Sequence, residues 1–372
     1  LALPSSFMGR WRFETSQYVD PEVFAKRIDA KEDHPAYATG PMCHPDSILT
    51  ALETEQPYPI KMTYFYGSNP LSPTCYAEPE RWYNALMKCD FNAAHDVFMT
   101  PTIMALCDLV MPLAGFAAQD AVVLPHFGRN THFLGAINQA VDPGECKSDI
   151  EIDMIVGKRL NPEAWPWETA EEFFDAQIHT QYDWDFNDLR DAGVFQQKQI
   201  YRKYEKGLLR PDGEPGFNTP TGMIEVQSSI YDDFGEYDLP FFMEPAMSPY
   251  STPELAKEYP LVLTTGGRDF VSFHSEHRQI PSLRNCTPDP LVTINPKTAA
   301  EHGINDGDWV LIENQFGKCC ERARVSYEVS ERVIHATHGW WYPEQDGEFP
   351  NFFGVWKSNI NKLIPMYKVG KL

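Results

Sequence analysis

The feature that most constrains this chain is a repeated exchange of apolar strand and short helix between residues 57 and 113. "YPIKMTYFYGSNPLSP" reads as a buried strand, Ile60 to Tyr66, closed by a turn of Gly67, Ser68, Asn69 and Pro70. "EPERWYNALMKC" follows, with Trp82, Leu86 and Cys89 at helical spacing. "FNAAHDVFMTPTIMALCDLVMPL" then supplies a strand running into Asp96, a short helix after Thr100-Pro101, and a last strand, "CDLVMP". Strand, helix, strand, helix, strand at this spacing predicts a parallel α/β sheet.

The texture changes from Tyr259 onward. Short apolar runs recur, "PLVLTT", "PLVTIN", "DWVLIEN", "ERARVSYE" and "RVIHAT", separated by turn residues such as Gly303-Ile304-Asn305-Asp306-Gly307-Asp308. That pattern predicts a compact β-barrel or sandwich. One helix interrupts it, "NPKTAAEHG", with Asn295 as N-cap, Pro296 in the first turn and Gly303 as the stop. Residues 161–206 are acidic and aromatic and read as surface helices, a solvated face over the sheet rather than a carboxylate active site. Residues 207–253 are dense in Gly and Pro and read as a linker. The expected organisation is an irregular lead-in over 1–55, an α/β domain over 56–206, the linker, and a β domain over 254–372.

Charge narrows the ligands. With 31 basic and 53 acidic side chains the formal charge is −22, which argues against nucleic acid. Residues 1–244 hold 18 basic and 38 acidic groups, net −20; the last 128 hold 13 and 15, net −2. An anionic ligand is therefore repelled less by the C-terminal part. No apolar run approaches the roughly 18 residues that span a bilayer. The N-terminus lacks a signal-peptide pattern and an initiator Met, so an upstream segment is expected, and localisation stays open. The eight cysteines include no C-x-x-C and read as isolated thiols, with no iron–sulfur cluster or structural zinc set among them.

Several residues could carry chemistry. Gly67-Ser68-Asn69-Pro70 ends a parallel strand, where α/β sheets bind ligands and small residues admit a phosphate to the backbone; a plain turn is the other reading. The G-x-G-x-x-G and Walker patterns are absent there. Asp96 could accept from N1–H and the 2-amino group of guanine, or cap the helix that begins at Thr100. Thr265-Gly266-Gly267 opens the backbone after a strand, and Arg268 could reach a pyrophosphate bidentately. Phe273, His274 and Ser275 could face a heterocycle. His338-Gly339-Trp340-Trp341 offers a donor, a close-approach Gly and two rings, or simply core aromatics. His274/His277 and His335/His338 share a spacing that makes zinc a rival, though no carboxylate or thiol stands at motif spacing to complete it.

Taken in order, these segments resemble the C-terminal half of the molybdopterin oxidoreductases of the DMSO reductase family. "YGSNPL", "HDVFMTPTIMALCDLVMPL", "GECKSDIEIDMIVGKRL" and "FNTPTGMIE" are similar to successive family segments. "LVLTTGGRDFVSFHSEHRQIPSLR" through "INPKTAAEHGINDGDWVLIEN" to "THGWW" and "SNINKLIP" resembles its terminal dinucleotide-binding domain. The match covers roughly residues 57–372. The "HSEHRQIPSLR" and "GWW" details are nearest to the branch of acetylene hydratase and catechol dehydroxylases. The resemblance implies a parallel Rossmann-like α/β domain followed by a six-stranded double-psi β-barrel. It implies two molybdopterin guanine dinucleotides holding one molybdenum or tungsten through four dithiolene sulfurs, and two-electron chemistry at the metal. By position it assigns Gly67, Ser68, Asn69, Asp96 and Thr100 to one dinucleotide. It assigns Gly267, Arg268, His274, Ser275, Arg278, His338, Gly339 and Asn361 to the barrel's side of the site.

The departures are specific. The family's N-terminal iron–sulfur cysteines and its protein ligand to the metal have no counterpart here. Phe116-Ala117-Ala118-Gln119 replaces a common acidic pair, and Met223 stands where Lys is usual. The chain then reads as the cofactor-cradling piece of a longer enzyme, inactive alone. Its expected partners are the N-terminal half and an iron–sulfur electron-transfer subunit. The alternatives are a non-catalytic accessory subunit that binds a guanine dinucleotide, and a zinc hydrolase using the His pairs. Limited proteolysis is expected to cut first within 207–253; initial cleavage within 60–115 or 290–330 would contradict that boundary.

Overall fold

Residues 22, 26, 28, 43–72, 77–123, 133–179, 183–196, 200–233, 235–267 and 270–366 are described by the computed structural model. Two compact units divide the chain. One joins Leu49–Val110 with Phe241–Lys368; the other is mainly Met111–Pro240. Among the described residues no helix is long and apolar enough to cross a membrane.

Helix α1 (Pro45–Thr54) leads into strand β1 (Met62–Tyr66), helix α2 (Pro79–Leu86), strand β2 (Phe91–Asp96), helix α3 (Pro101–Leu106) and strand β3 (Leu109–Pro112). The three strands form one sheet in that order, with Met62 opposite Phe91 and Tyr66 opposite His95 in a parallel pair. Small residues make this possible: Ala93 and Ala94 of β2 are buried and let neighbouring elements close over the strand. Helix α2 turns Trp82, Ala85 and Leu86 inward. Helix α3 starts where the sequence says it should, with the Thr100 hydroxyl accepting from the Ile103 N–H and Pro101 in the first turn. Asp108 fastens β2 to the start of β3, its carboxylate accepting the Asn92 N–H at 2.8 Å.

The parallel sheet stops at three strands. Strands β4 (Ala121–Val123), β5 (Phe133–Ile137) and β6 (Val194–Gln196) form a separate antiparallel sheet in the order β4-β5-β6. Only nine residues separate Val123 from Phe133, too few for the dozen or more that a parallel crossover needs. The expected parallel sheet is present over β1–β3, and this antiparallel sheet is an addition to it. Helices α4 (Asp149–Leu160), α5 (Ala170–His179) and α6 (Phe186–Ala192) belong to this unit. Ser148 with Glu151 and Asp185 with Asp188 close capping boxes on α4 and α6, which is where acidic residues help a helix start. The acidic, aromatic stretch does form helices, but their inner faces are core: Phe174, Ile178, Phe186 and Leu189 pack with Leu134.

Residues 207–253 are mostly irregular, with one short helix, α7 (Ser229–Asp233). Helix α8 (Pro253–Glu258) and strand β7 (Val262–Thr264) follow. Helix α9 (Pro281–Arg284), strand β8 (Leu291–Ile294), helix α10 (Pro296–Glu301) and strands β9 (Trp309–Glu313), β10 (Lys318–Val325) and β11 (Val333–Ala336) complete the order. Each of the five apolar runs became a strand of a mixed sheet ordered β7-β11-β8-β10-β9. The β7/β11 and β8/β10 pairs are parallel; β8/β11 and β9/β10 are antiparallel. Val292, Ile294, Ile312, Ala323 and Ala336 form its core with Ile360 and Leu363. Asn295 caps α10 by accepting from the Lys297 N–H, and Gly303 follows its end at φ +65°.

Phe186 is fully buried, so Phe186→Ala should cost about 3–5 kcal/mol by denaturant unfolding of the unit that contains it. A cost below about 1 kcal/mol would contradict this core.

Candidate functional site

Four segments of the larger unit, distant in sequence, are knotted together by buried polar side chains. The turn after β1 comes first. Gly67 takes φ +48°, and its N–H donates to the His95 carbonyl at 3.3 Å. Asn69, 8% exposed, accepts from the Thr102 hydroxyl at 2.7 Å and from its N–H at 3.3 Å. The same hydroxyl accepts the Leu71 N–H at 3.0 Å. The Leu71 carbonyl accepts from Asn359 Nδ2 at 2.7 Å, and the Asn359 side chain also accepts the Asn361 N–H. Ser68 is half-buried and Pro70 buried beside them.

Asp96 ends β2. Its Oδ1 accepts from the Phe98 N–H at 3.1 Å, so one oxygen is turned onto its own chain and does not cap α3. Burial pushes its carboxyl above the ordinary range, and the charge of Glu276 adds to that. Gln279 reaches back to this corner, donating to the Met99 carbonyl at 2.7 Å.

The loop from Phe270 to Ile280 is held by Arg278. This guanidinium is 2% exposed and donates to the Gly339 carbonyl at 3.3 Å, the Ser272 hydroxyl at 3.3 Å and the His274 carbonyl at 3.1 Å. It lies 3.9 Å from the centre of the Trp340 ring, a cation–π stack. Trp341 donates to the Ser275 carbonyl at 3.0 Å. Both indoles are buried, and Trp340 stacks against Arg278.

His274 Nδ1 and His338 Nε2 stand 2.7 Å apart, so one ring donates to the other. The Ser275 hydroxyl lies 3.5 Å from Asn69 Nδ2, which joins the loop to the β1 turn. The backbone N–H groups of His274 and Ser275 converge on one oxygen of Glu276, at 3.0 and 3.2 Å. Gly266 (φ +87°) and Gly339 (φ +67°) occupy the left-handed region. A Cβ on Gly267 would fall 2.4 Å from His335 Nε2, so this glycine lets that imidazole approach the backbone. The Thr265 hydroxyl is buried without a hydrogen-bond partner. Arg268 lies outside the described residues.

The structure thus brings Asn69, His274, Ser275, Arg278, His338, Gly339 and Asn361 into one connected network, while the Thr100 side chain is spent on capping α3. It does not build the zinc pairs: His274 meets His338, and His277 turns toward the Val271 carbonyl. Among the described residues no group of three or more His, Cys, Asp or Glu side chains is placed to hold a metal ion. Sequence reasoning missed Thr102, Asn359 and Glu276. An Asn or Thr that serves the backbone carries no motif, and a glutamate in so acidic a chain draws no notice.

Glu321 was missed as well. It is fully buried in β10 and accepts from the Thr337 N–H at 3.1 Å, next to His338. Burial holds its carboxyl well above the ordinary value of 4.5.

Residues 261–369 match the family model described as the molydopterin dinucleotide binding domain. Residues 261–369 thus carry a domain of this type, and the chain is also 26% identical over 317 residues to dimethyl sulfoxide reductase DmsA of Escherichia coli, covering 76% of this chain and 37% of that protein. It is 33% identical over 309 residues to acetylene hydratase of Syntrophotalea acetylenica, covering 82% of this chain and 40% of that protein. It is 32% identical over 399 residues to dopamine dehydroxylase of Eggerthella lenta, covering 87% and 38%. The solved structure of acetylene hydratase from Pelobacter acetylenicus matches with a TM-score of 0.78 at 30% identity, covering 87% of this chain and 43% of that one. The chain spans about two fifths of the length of these relatives.

The upward push on the Glu321 carboxyl has a measurable sign. Stability from this group is complete below the unfolded value near 4.5 and is lost as pH rises toward its raised folded value. Glu321→Gln does not titrate, so its Tm relative to the wild type should climb as pH rises from the ordinary carboxyl range. A Tm difference independent of pH would show that burial does not raise the Glu321 carboxyl.

Proposed function

We propose that this chain cradles molybdopterin guanine dinucleotide for a molybdenum or tungsten oxidoreductase. The observation that carries the reading is the network itself. Residues far apart in sequence, inside and outside the matched domain, converge as small, neutral or cationic groups in a strongly acidic chain. The donor set fits a phosphate-bearing cofactor. A Cβ built on Gly67 or Gly266 would meet nothing within 4 Å, the Thr265 hydroxyl is buried without a partner, and two N–H groups converge at His274 and Ser275. Metal held by the cofactor's own sulfurs needs no protein cluster of ligands.

On this reading Gly67, Ser68, Asn69 and Thr100 border one dinucleotide and Asp96 reads its base. Thr265, Gly266, His274, Ser275 and Gly339 border the opposite side, and Arg268 is assigned to it by sequence position alone. Arg278 and Asn361 position these groups from behind. The parallel pairs β7/β11 and β8/β10 joined through antiparallel β8/β11 support a double-psi β-barrel here. When bound, the metal supplies two-electron chemistry; the protein's part is to bind, orient and exclude water. The substrate is not assigned, since relatives named for hydrating acetylene and dehydroxylating dopamine share this scaffold.

Guanine choice tests the reading. One Asp96 oxygen is committed to the Phe98 N–H, leaving the other edge of the carboxylate for a base. Losing a charge-assisted hydrogen bond costs about 1.5–3 kcal/mol. Calorimetry should therefore show GDP bound at least about tenfold more tightly than ADP, with Asp96→Ala abolishing the difference. Equal affinity of the wild type for both nucleotides would remove Asp96 from the role, and failure to bind either would contradict the nucleotide site.

A further inference from the structure

Glu276 stands out because it occupies what a ligand would want. Phe273 adopts φ +55° and His277 φ +64°, conformations that bulky side chains rarely take. Between them the N–H groups of His274 and Ser275 point the same way. Successive N–H groups after a left-handed residue form a concavity that binds anions. Here the anion is internal: one Glu276 oxygen accepts both N–H groups, at 3.0 and 3.2 Å.

The surroundings suit a larger anion better than this carboxylate. Arg278 lies directly beneath, donating to the His274 carbonyl at 3.1 Å. The His274 ring meets His338, and the Ser275 hydroxyl lies 3.5 Å from Asn69 Nδ2. The charge of Glu276 also raises the Asp96 carboxyl, so the two carboxylates repel. A phosphate seated on the amides would displace Glu276 outward, where its side chain is already exposed, and relieve that repulsion.

We propose that the His274 and Ser275 amides are the diphosphate seat of this site and that Glu276 is a built-in competitor which the incoming diphosphate displaces. This rests on the reading that the loop meets an anionic dinucleotide, and it adds a regulatory element to it. Glu276 would keep the seat closed to weakly bound phosphate and oxyanions and would let in only a ligand with further contacts elsewhere. The bland alternative is that Glu276 merely caps the loop, in which case removing it loosens the seat and weakens binding.

The full chain and inorganic pyrophosphate suffice for the test. Glu276→Ala should bind pyrophosphate at least about tenfold more tightly than the wild type by calorimetry. In amide-resolved NMR of that variant, the His274 and Ser275 resonances should move downfield as pyrophosphate is added. Binding that is unchanged or weaker in Glu276→Ala would overturn the proposal. So would tighter binding that leaves those two amides unmoved, or no pyrophosphate binding by either protein. GDP separates the two levels of argument. Wild-type binding of GDP that Glu276→Ala does not strengthen sinks the competitor and leaves the nucleotide reading intact. Absence of GDP binding from both proteins, with pyrophosphate seated on the amides, sinks the nucleotide reading alone.

Discussion

The candidate site depends on one buried guanidinium. Arg278 ties the Ser272 hydroxyl, the His274 carbonyl and the Gly339 carbonyl to a single rigid plane and lies flat on Trp340. A lysine could not do this, because only the planar fork reaches three acceptors while stacking on an indole. With that plane fixed, His274 and His338 meet, Ser275 is presented toward Asn69, and the His274 and Ser275 amides face one way. Burying such a group is costly unless its donors are used, so the loop, the Gly339 turn and the arginine form together or not at all.

The electrostatics around this plane explain how an acidic chain can host an anion. The net charge of −20 over residues 1–244 is far larger than the −2 of the remainder. The groups that converge at the site are amides, hydroxyls, imidazoles and a guanidinium. The two carboxylates that do enter are both engaged with backbone N–H groups, Asp96 with Phe98 and Glu276 with His274 and Ser275. Glu321, fully buried, has its carboxyl pushed up by burial, which disfavours a further charge there. Local charge is thus arranged against the grain of the whole sequence, which is what distinguishes a site from a surface.

What could be read in advance followed from period and punctuation. The strands β1, β2 and β3 and the five strands from β7 to β11 announce themselves as short apolar runs between turns. Thr100 and Asn295 announce helix starts because a short polar side chain before Pro has few other uses. The antiparallel sheet β4-β5-β6 was not legible: its strands are short, and the length of the connection, not any residue type, decides its direction. The pattern marks Asn69 as a turn residue but not its partners, Thr102 and Ser275. Nothing in the linear pattern pairs Trp340 with Arg278, which stacks on its ring. Side chains that serve the backbone leave no trace in a linear pattern, and a linear reading does not reveal that residues 49–110 and 241–368 assemble one unit from two separated stretches.

The central claim is that these residues hold a guanine dinucleotide of molybdopterin, and its most direct test is the nucleotide that the loaded protein carries. A protein containing this chain, purified from cells that make the cofactor and hydrolysed in mild acid, should release GMP in stoichiometric ratio to bound molybdenum or tungsten. Release of AMP or CMP in its place, or metal-loaded protein that yields no nucleotide, would contradict the account.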